Sequence, residues 1–131
     1  MRKIRCILSI DGGGIRGVLP LTVLKALNER LQKRYAFSVN EGFDLMAGTS
    51  TGAIISAALL LKDKHQYAYQ PADLLSLYQN RGSQIFNPNR DKANQQSLPF
   101  ILQKNFSHLT VSQLEKRFVF LSFDERTNAP F

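Results

Sequence analysis

The chain has 131 residues, which is the size of a single domain, and 44% of them are apolar and 21% charged. This balance excludes a disordered or collagen-like chain. With 17 Lys and Arg against 10 Asp and Glu, the net charge of +7 favours anionic partners, which are phospholipid head groups, nucleic acid or acidic substrates, without choosing among them. The single cysteine, Cys6, excludes an internal disulfide, and no Cys/His cluster has zinc spacing, so neither a metal nor any other cofactor is predicted.

The first predicted element is a short buried strand at residues 4–10, which are rich in Ile and Leu. This stretch runs straight into glycines with no small-residue cleavage site, so we expect the N-terminus to belong to the fold and not to a signal peptide. The compartment stays open between a cytoplasmic location and secretion without a cleaved N-terminal signal. A glycine turn at residues 12–17 comes next. Leucines at intervals of three and four then predict an amphipathic helix over residues 18–35.

A second apolar run at residues 43–47 also ends in glycine and is predicted to be a strand. The segment 51–61 is apolar nearly all round, which predicts a buried helix. Strand, tight turn and helix therefore occur twice before residue 62. This alternation predicts an α/β fold with a mainly parallel sheet.

The second half of the chain is predicted to begin with a helix that starts at Pro71 and covers residues 71–80, with Gly82 marking its end. The segments expected after it are a polar loop over 87–97, a short helix or irregular stretch over 98–106, a short helix after a Thr110–Gln113 capping box, a strand over 118–123, and the approach to another strand at 129–131.

The strongest local motif is Gly-Thr-Ser-Thr-Gly at residues 48–52, a G-x-S-x-G between a predicted strand and a predicted helix. Gly48 and Gly52 allow the chain to reverse sharply, which pushes the Ser50 hydroxyl out at the carboxyl end of the strand. The positive end of the following helix points at the same place. This context favours a nucleophilic serine over the plainer interpretation, a Gly/Ser/Thr loop without chemistry.

The second motif is Asp-Gly-Gly-Gly-Ile-Arg-Gly at residues 11–17, after one strand and before one helix. Its consecutive glycines leave backbone N–H groups uncovered, and such groups in front of a helix bind negative charge. That charge is either the oxyanion of a tetrahedral intermediate or a phosphate.

The phosphate alternative has a specific form, because Gly12, Gly14 and Gly17 fit the dinucleotide pattern G-x-G-x-x-G. That fingerprint also needs an acidic residue at the end of the second strand. Glu29 falls inside the first predicted helix, and Glu41 and Asp44 precede or begin the second strand. A dinucleotide also leaves residues 48–52 unexplained, and no Gly-Lys-Ser/Thr is present for a P-loop.

The two motifs together resemble the patatin-like phospholipase family. The segments 43–47, 118–124 and 130–131 are also similar to that family, so the resemblance covers essentially the whole chain and the first part of the family's domain. It implies a three-layer α/β/α fold with a mainly parallel sheet, and a phospholipase A-type serine acyl hydrolase acting on lipid acyl esters through a Ser–Asp dyad. Carried over by motif, Ser50 is the nucleophile. Gly12, Gly13, Gly14 and Arg16 form the oxyanion hole, with Arg16 either bracing the glycine turn or meeting a phosphate.

The sequence departs from the family at the second catalytic residue. The family's dyad aspartate precedes Gly-Gly or Gly-Ala well after the serine, whereas Asp-Gly occurs here once, at Asp11–Gly12. The aspartates after Ser50 are Asp63, Asp73, Asp91 and Asp124, and none precedes glycine. We therefore expect residues 1–131 to be the N-terminal part of a patatin-like acyl hydrolase domain, with the dyad aspartate beyond residue 131. The chain alone is expected to be inactive, because a serine without an adjacent base is a weak nucleophile.

Two other functions remain open. One is a non-catalytic phosphate- or nucleotide-binding module that uses the G-x-G-x-x-G loop. The other is a complete small hydrolase with Asp91 and His108 as the remaining triad residues, although His65 and His108 read as surface histidines. As partners we expect the lipid ester, an anionic membrane surface and a second copy of the chain at an exposed sheet edge, and no nucleic acid.

Overall fold

The computed structural model describes residues 4–86, 110–114, 116–124, 126–127 and 129–130. In chain order its elements are β1 (Ile7–Ile10), a 3-10 turn (Gly14–Gly17), α1 (Val18–Tyr35), α2 (Val39–Gly42), β2 (Leu45–Thr49), α3 (Thr51–Leu60), β3 (Lys62–Asp63), β4 (Gln66–Tyr67), α4 (Pro71–Ile85), a second 3-10 turn (Val111–Gln113), β5 (Arg117–Leu121), β6 (Phe123–Asp124) and β7 (Ala129–Pro130).

The central sheet has three parallel strands in the order β1-β2-β5. In its register Ile10 lies opposite Gly48, and Gly48 lies opposite Phe120. Two small antiparallel pairs, β3 with β4 and β6 with β7, stand apart from it. The α/β class and the parallel sheet predicted from the sequence are confirmed.

The two faces of the sheet differ in what covers them. On one face Ile10 and Met46 are buried and Phe118 and Phe120 are partly buried, packed into a cluster with α1, α3 and α4. The opposite face carries apolar side chains that remain largely exposed: Ile7 at 62%, Val119 at 48% and Leu121 at 58%. The part of the chain that the structure describes therefore provides helices to one face, and the second helical layer of the expected three-layer fold is not among these residues.

The helices follow the predicted bounds except at the end of α4. The first long helix ends at Tyr35 as expected, with Ala36 in the left-handed conformation. The prediction that α4 ends near Gly82 is wrong, because the helix continues to Ile85. Gly82 lies inside it, where an added Cβ would overlap the end of the Ile15 side chain. This glycine is therefore explained by packing and not by helix termination.

The strands depart from their predicted bounds: the first two begin later than predicted, and the third begins one residue earlier, at Arg117. The first strand begins at Ile7 and not at residue 4, because Arg5 and Cys6 bind the Asp44 carboxylate before the ladder starts. This strand was predicted to be buried, but among residues 4–10 only Ile10 is buried. The second strand runs through Gly48 to Thr49 because it pairs on both sides to that point. The strand expected over 118–123 is divided at Ser122 into β5 and β6.

Two elements have no counterpart in the sequence predictions. One is α2, closed by a capping box in which the Ser38 N–H donates to Glu41 Oε2 at 2.8 Å. The other is the β3–β4 hairpin. The Thr110–Gln113 capping box precedes a 3-10 turn, and the Thr110 N–H donates to the Gln113 side chain. The loop and helix predicted over 87–97 and 98–106 lie outside the described residues.

No helix in the described segments combines the length and the apolar character that a membrane crossing requires.

Candidate functional site

The chain turns sharply from β2 into α3 at Ser50. This residue has φ 50° and ψ −122°, one of three non-glycine residues with positive φ in the described chain. A side chain in this region costs of the order of 1–3 kcal/mol, so the surrounding structure must hold it there. Ser50 is the N-cap of α3 and follows the last residue of β2. We call residues 48–52 the elbow.

Two glycines make this turn possible through close approach of the backbone. A Cβ added at Gly48 would overlap the backbone of Gly52 and Ala53, which belong to the first turn of α3. A Cβ added at Gly52 would overlap the carbonyl group of Ile10, the last residue of β1. Both elbow glycines therefore lie where three backbone segments meet, and no other amino acid fits there without movement of the main chain.

The segment 11–17, called the glycine loop below, lies directly beside the elbow. The Gly12 N–H donates to Thr49 Oγ1 at 2.9 Å, which ties the loop to the end of β2. A Cβ at Gly12 would lie 3.1 Å from the Cβ of Ser50. The two motifs, whose first residues are 37 positions apart in the chain, are thus neighbours at the carboxyl ends of β1 and β2.

The remainder of the loop is held by its own turn. Gly14 has φ 57°, a conformation that favours glycine, and begins the 3-10 turn. The Arg16 N–H donates to Gly13 O at 3.1 Å, and Arg16 Nε approaches the same oxygen at 3.4 Å. The Arg16 side chain is exposed. Among the described residues, no acceptor is found for the N–H groups of Gly13 and Gly14.

A buried tyrosine that the sequence analysis did not identify supports the elbow from the other side. The Tyr78 hydroxyl on α4 is hydrogen-bonded to the Thr51 hydroxyl, and both residues are buried. Burial raises the pKa of Tyr78, and the hydrogen bond with Thr51 acts in the opposite direction. The helical spacing of α4 indicates that Tyr78 faces the core. Its hydrogen bond with Thr51 could not be predicted from local sequence patterns, because the two residues are 27 positions apart.

A groove of about 520 Å³ opens beside the glycine loop, between β1 and the first turns of α1. Apolar side chains dominate its lining, and Ser9, Asp11 and Arg16 supply its polar groups. The apolar lining residues include Leu8, Leu19, Pro20, Val23 and Leu24. This groove reaches Gly12 and Gly13, so it is continuous with the loop that lies against Ser50.

The acidic residues considered for a dinucleotide site lie away from the carboxyl end of β2. Glu29 is in α1 and Glu41 in α2, while Asp44 precedes β2 and binds Arg5 at the opposite end of the sheet. The position at the end of β2 is taken by Thr49. This geometry leaves the G-x-G-x-x-G loop without the acidic partner that binds a ribose.

The histidine-based alternative is not assembled in the described segments. His65 is exposed in the turn of the β3–β4 hairpin. Asp91 and His108 lie outside the described residues. Within the ranges that the structure covers, no group of three or more His, Cys, Asp or Glu side chains could hold a metal ion.

Comparison with known proteins identifies a family. The profile described as "Patatin-like phospholipase" matches residues 8–130. Patatin-17 of Solanum cardiophyllum is 34% identical over 132 residues, covering 95% of this chain and 34% of the relative. Patatin-16 of Solanum tuberosum is 32% identical over 132 residues, with the same two coverages. A third relative, named "Probable inactive patatin-3-Kuras 1" of Solanum tuberosum, is 31% identical over 133 residues, which are 95% of this chain and 36% of the relative. The chain therefore spans about a third of the length of these relatives.

Proposed function

This chain belongs to the patatin-like phospholipase family, and we propose that it is the N-terminal part of a lipid acyl hydrolase domain in which Ser50 is the nucleophile. The observation that carries the proposal is the strained turn at Ser50, held between Gly48 and Gly52 and pressed against Gly12. A non-glycine residue is kept in such a conformation only where the surrounding structure enforces it, and such residues cluster at active sites. A family name alone is weaker support, because the name of one relative describes it as "probable inactive".

The reaction begins when Ser50 Oγ attacks the carbonyl carbon of a lipid ester and transfers its proton to a base. The carbonyl oxygen then carries the negative charge of the tetrahedral intermediate. When the C–O bond of the ester breaks, the leaving oxygen takes the proton back from the base and departs as the alcohol. Water, deprotonated by the same base, then attacks the acyl-serine, which releases the fatty acid and restores the Ser50 hydroxyl. These reaction steps are those of a phospholipase A-type serine esterase. They require hydrogen-bond donors for the oxyanion and a base that accepts the serine proton.

We assign the oxyanion donors to the glycine loop, and chiefly to the N–H groups of Gly13 and Gly14. Gly12 contributes differently, because its N–H is already bonded to Thr49 Oγ1 and so fixes the loop against the elbow. The positive end of α3, whose first residue is Thr51, adds to the field at the same point. One well-aligned donor of this kind is worth about 3–4 kcal/mol of barrier reduction.

Arg16 braces the loop in this proposal, since both its backbone and its guanidinium face the Gly13 carbonyl. Its exposed guanidinium also borders the groove beside β1, where an anionic head group has access to it. The base is assigned to an aspartate of the Ser–Asp dyad beyond residue 131. No aspartate after Ser50 precedes glycine in these residues, and His65 is exposed in its hairpin.

Lipid ester substrates lie in aggregates or membranes, which gives the positive charge of the chain a role. With a net charge of +7, attraction to an anionic surface adds about 1 kcal/mol for each basic residue close to it. The exposed apolar face of the sheet with Ile7, Val119 and Leu121 is the second candidate surface, for self-association of the 131-residue chain. We propose both partners in addition to the substrate.

Fatty acid release tests the proposed function. Phosphatidylcholine vesicles with and without phosphatidylglycerol are incubated with a longer form of the protein that begins with residues 1–131, and released fatty acid is measured. We expect release that Ser50→Ala reduces at least about 10³-fold, and faster release from the anionic vesicles. The matched control is Ser112→Ala, because Ser112 is an exposed serine in the 3-10 turn before β5, at the opposite end of the sheet, and should leave the rate nearly unchanged. Release that survives Ser50→Ala would overturn the assignment, and binding of inorganic phosphate without any release would favour the phosphate-binding module.

A further inference from the structure

We propose that α4 positions the glycine loop, through Tyr78, Gly82 and Phe86, and this inference rests on the proposed function of that loop as the oxyanion hole. The three residues recur every four positions, so they share one face of the helix and of its C-cap. Each of them meets a different part of the loop or the elbow. None belongs to either sequence motif.

The first contact joins α4, the elbow and the end of the loop at one point. Tyr78 is hydrogen-bonded to Thr51, the residue that follows Ser50. A Cβ added at Gly17 would lie 2.7 Å from Tyr78 Cε1 and 3.1 Å from Thr51 Oγ1. The buried tyrosine therefore fixes the spacing between the last residue of the loop and the first turn of α3.

The other two contacts reach the middle of the loop. The absence of a side chain at Gly82 makes room for Ile15, whose Cδ1 atom fills the space in front of it. A Cβ added at Gly14 would lie 3.5 Å from Phe86 Cδ1. The rings of Tyr78 and Phe86 are themselves in contact, with centroids 5.5 Å apart. This face of α4 thus forms one continuous support under residues 14–17.

Such support matters because the loop has little rigidity of its own. Glycines lose more conformational freedom on ordering than other residues. Oxyanion donors accelerate a reaction only when they are already held in place, and a displacement of about 1 Å costs roughly 10²-fold in rate. From the elbow side, the loop is held by the Gly12–Thr49 hydrogen bond. The face of α4 holds it from the opposite direction, through packing.

Amide hydrogen exchange in the 131-residue chain tests this role without any substrate. Tyr78→Phe removes the hydroxyl and keeps the ring. We expect exchange of the hydrogen-bonded Gly12 and Arg16 amides to accelerate about tenfold or more. The control is Ser56→Ala, which removes another hydroxyl bond of α3, from Ser56 Oγ to Ala47 O at 3.3 Å, away from the loop. Equal acceleration in both variants would overturn the proposal, because it would show a general loss of stability.

A second pair of variants keeps the proposal testable if Tyr78→Phe does not fold. Gly82→Leu fills the space of Ile15 while improving helix propensity, so it displaces the loop without weakening α4. Adding Ile15→Ala restores the space. We expect fast loop exchange in Gly82→Leu and recovery in the double variant. Unchanged loop exchange in Gly82→Leu would contradict the positioning role.

A kinetic readout separates this inference from the proposed function. Where a longer form reacts with a fluorophosphonate at Ser50, Tyr78→Phe should lower the limiting rate about tenfold and leave the half-saturating concentration unchanged. A rise in the half-saturating concentration alone would contradict positioning. If the exchange results hold while Ser50 does not react, the proposed function fails and the support of the loop by α4 stands. If Ser50 reacts and loop exchange does not respond to either variant, the support by α4 fails alone.

Discussion

The two ends of β2 are built in opposite ways. At the carboxyl end, three backbone segments meet without side chains between them, at Gly48, Gly52 and Ile10, and Ser50 is held in a strained conformation. At the amino end, the same strand is held by charged side chains. Lys116 donates from Nζ to the carbonyl oxygens of Asn40 at 2.8 Å, Glu41 at 2.7 Å and Phe43 at 3.0 Å.

The amino end continues with an ion pair. Arg5 binds Asp44 at 2.8 Å, and the other carboxylate oxygen of Asp44 accepts the Cys6 N–H at 2.9 Å. These groups satisfy the backbone where α2 ends and the strands begin, without any unusual main-chain conformation in residues 37–49. Their role is explained by stability alone.

This difference is what we expect if the carboxyl end of β2 carries the proposed reaction. A side-chain network can be replaced piece by piece, whereas the backbone contacts of the elbow allow no side chain and impose strain on a serine. Strain of this kind lowers stability and is retained where it positions a reacting group. The comparison therefore predicts that substitutions at the two ends differ in size and also in sign.

The largest effect is expected at the elbow glycine that meets β1. Gly52→Ala places a Cβ on the Ile10 carbonyl, so the main chain must move, and we expect a loss of about 3 kcal/mol or more in the free energy of unfolding. The control is Gly42→Ala at the end of α2, where a Cβ lies 3.2 Å from the Phe37 ring and a small shift suffices. Urea unfolding of both variants measures this difference. A loss below about 1 kcal/mol in Gly52→Ala would show that the elbow is not tightly packed.

The next effect is expected at the charged end. Lys116→Met keeps much of the side-chain length and removes three hydrogen bonds to carbonyl groups, so we expect a loss of about 2 kcal/mol in urea unfolding. Lys25→Met is the matched control, because Lys25 only approaches Glu29 at 3.7 Å on the surface of α1 and should change stability by less than about 0.5 kcal/mol. Equal losses of stability in the two variants would show that the three Lys116 hydrogen bonds stabilise the fold no more than the exposed Lys25–Glu29 pair does.

A change of opposite sign is expected at Ser50, the proposed nucleophile. Ser50→Gly relieves the positive φ, so we expect it to raise the free energy of unfolding by about 1 kcal/mol, after allowance for the greater freedom of glycine in the unfolded chain. Ser9→Gly, in the extended backbone of β1, should instead lower it by roughly 0.5–1 kcal/mol. The two variants are compared by thermal unfolding. Destabilisation by Ser50→Gly would mean that the serine side chain is held by favourable contacts and not against strain.

The smallest effect concerns pH and again separates the two ends. Hydrogen bonds from Ser38 hold the pKa of Glu41 below its ordinary value of 4.5. A carboxyl with a lower pKa in the folded chain stabilises it above pH 4.5, and this contribution is lost as pH falls through the folded pKa. We expect the protection of the α2 amides, measured as their exchange rate relative to the unfolded chain at the same pH, to fall below about pH 4.5. Glu41→Gln should abolish that loss of protection without affecting the Gly12 amide. A loss of protection that persists in Glu41→Gln would assign the acid sensitivity to another group.

The local features of the fold could be read from the sequence, and the long-range ones could not. Periodicity gave α1 its bounds, and the apolar run after Ser50 gave α3. The family resemblance placed the two motifs in one site, and the structure supplies the reason that they are neighbours, because the carboxyl ends of the parallel strands β1 and β2 meet at one edge of the sheet. The role of Gly82 was predicted wrongly, because the sequence does not distinguish a glycine that makes room for a neighbouring side chain from a glycine that ends a helix.

The contacts of the site that the sequence did not predict share one physical cause. Thr49, which binds Gly12, and Tyr78, which binds Thr51, act across 37 and 27 residues. Their partners depend on how the elements pack, and periodicity carries no information about that. The same holds for Lys116, whose three carbonyl partners lie more than 70 residues earlier in the chain. Short-range patterns thus located the candidate nucleophile and the glycines of its turn, but not the long-range hydrogen bonds that support them.

The most direct test of the account is the mass of a fluorophosphonate adduct on a longer form of the protein that begins with residues 1–131, with the 131-residue chain treated in parallel. We predict one adduct on the longer form, on the peptide that contains Ser50, its loss in Ser50→Ala, its retention in Ser112→Ala, and little or no adduct on the 131-residue chain. An adduct on another residue, or labelling that persists in Ser50→Ala, would contradict the assignment of the elbow as the nucleophile. Full labelling of the 131-residue chain at Ser50 would contradict the assignment of the base to an aspartate beyond it.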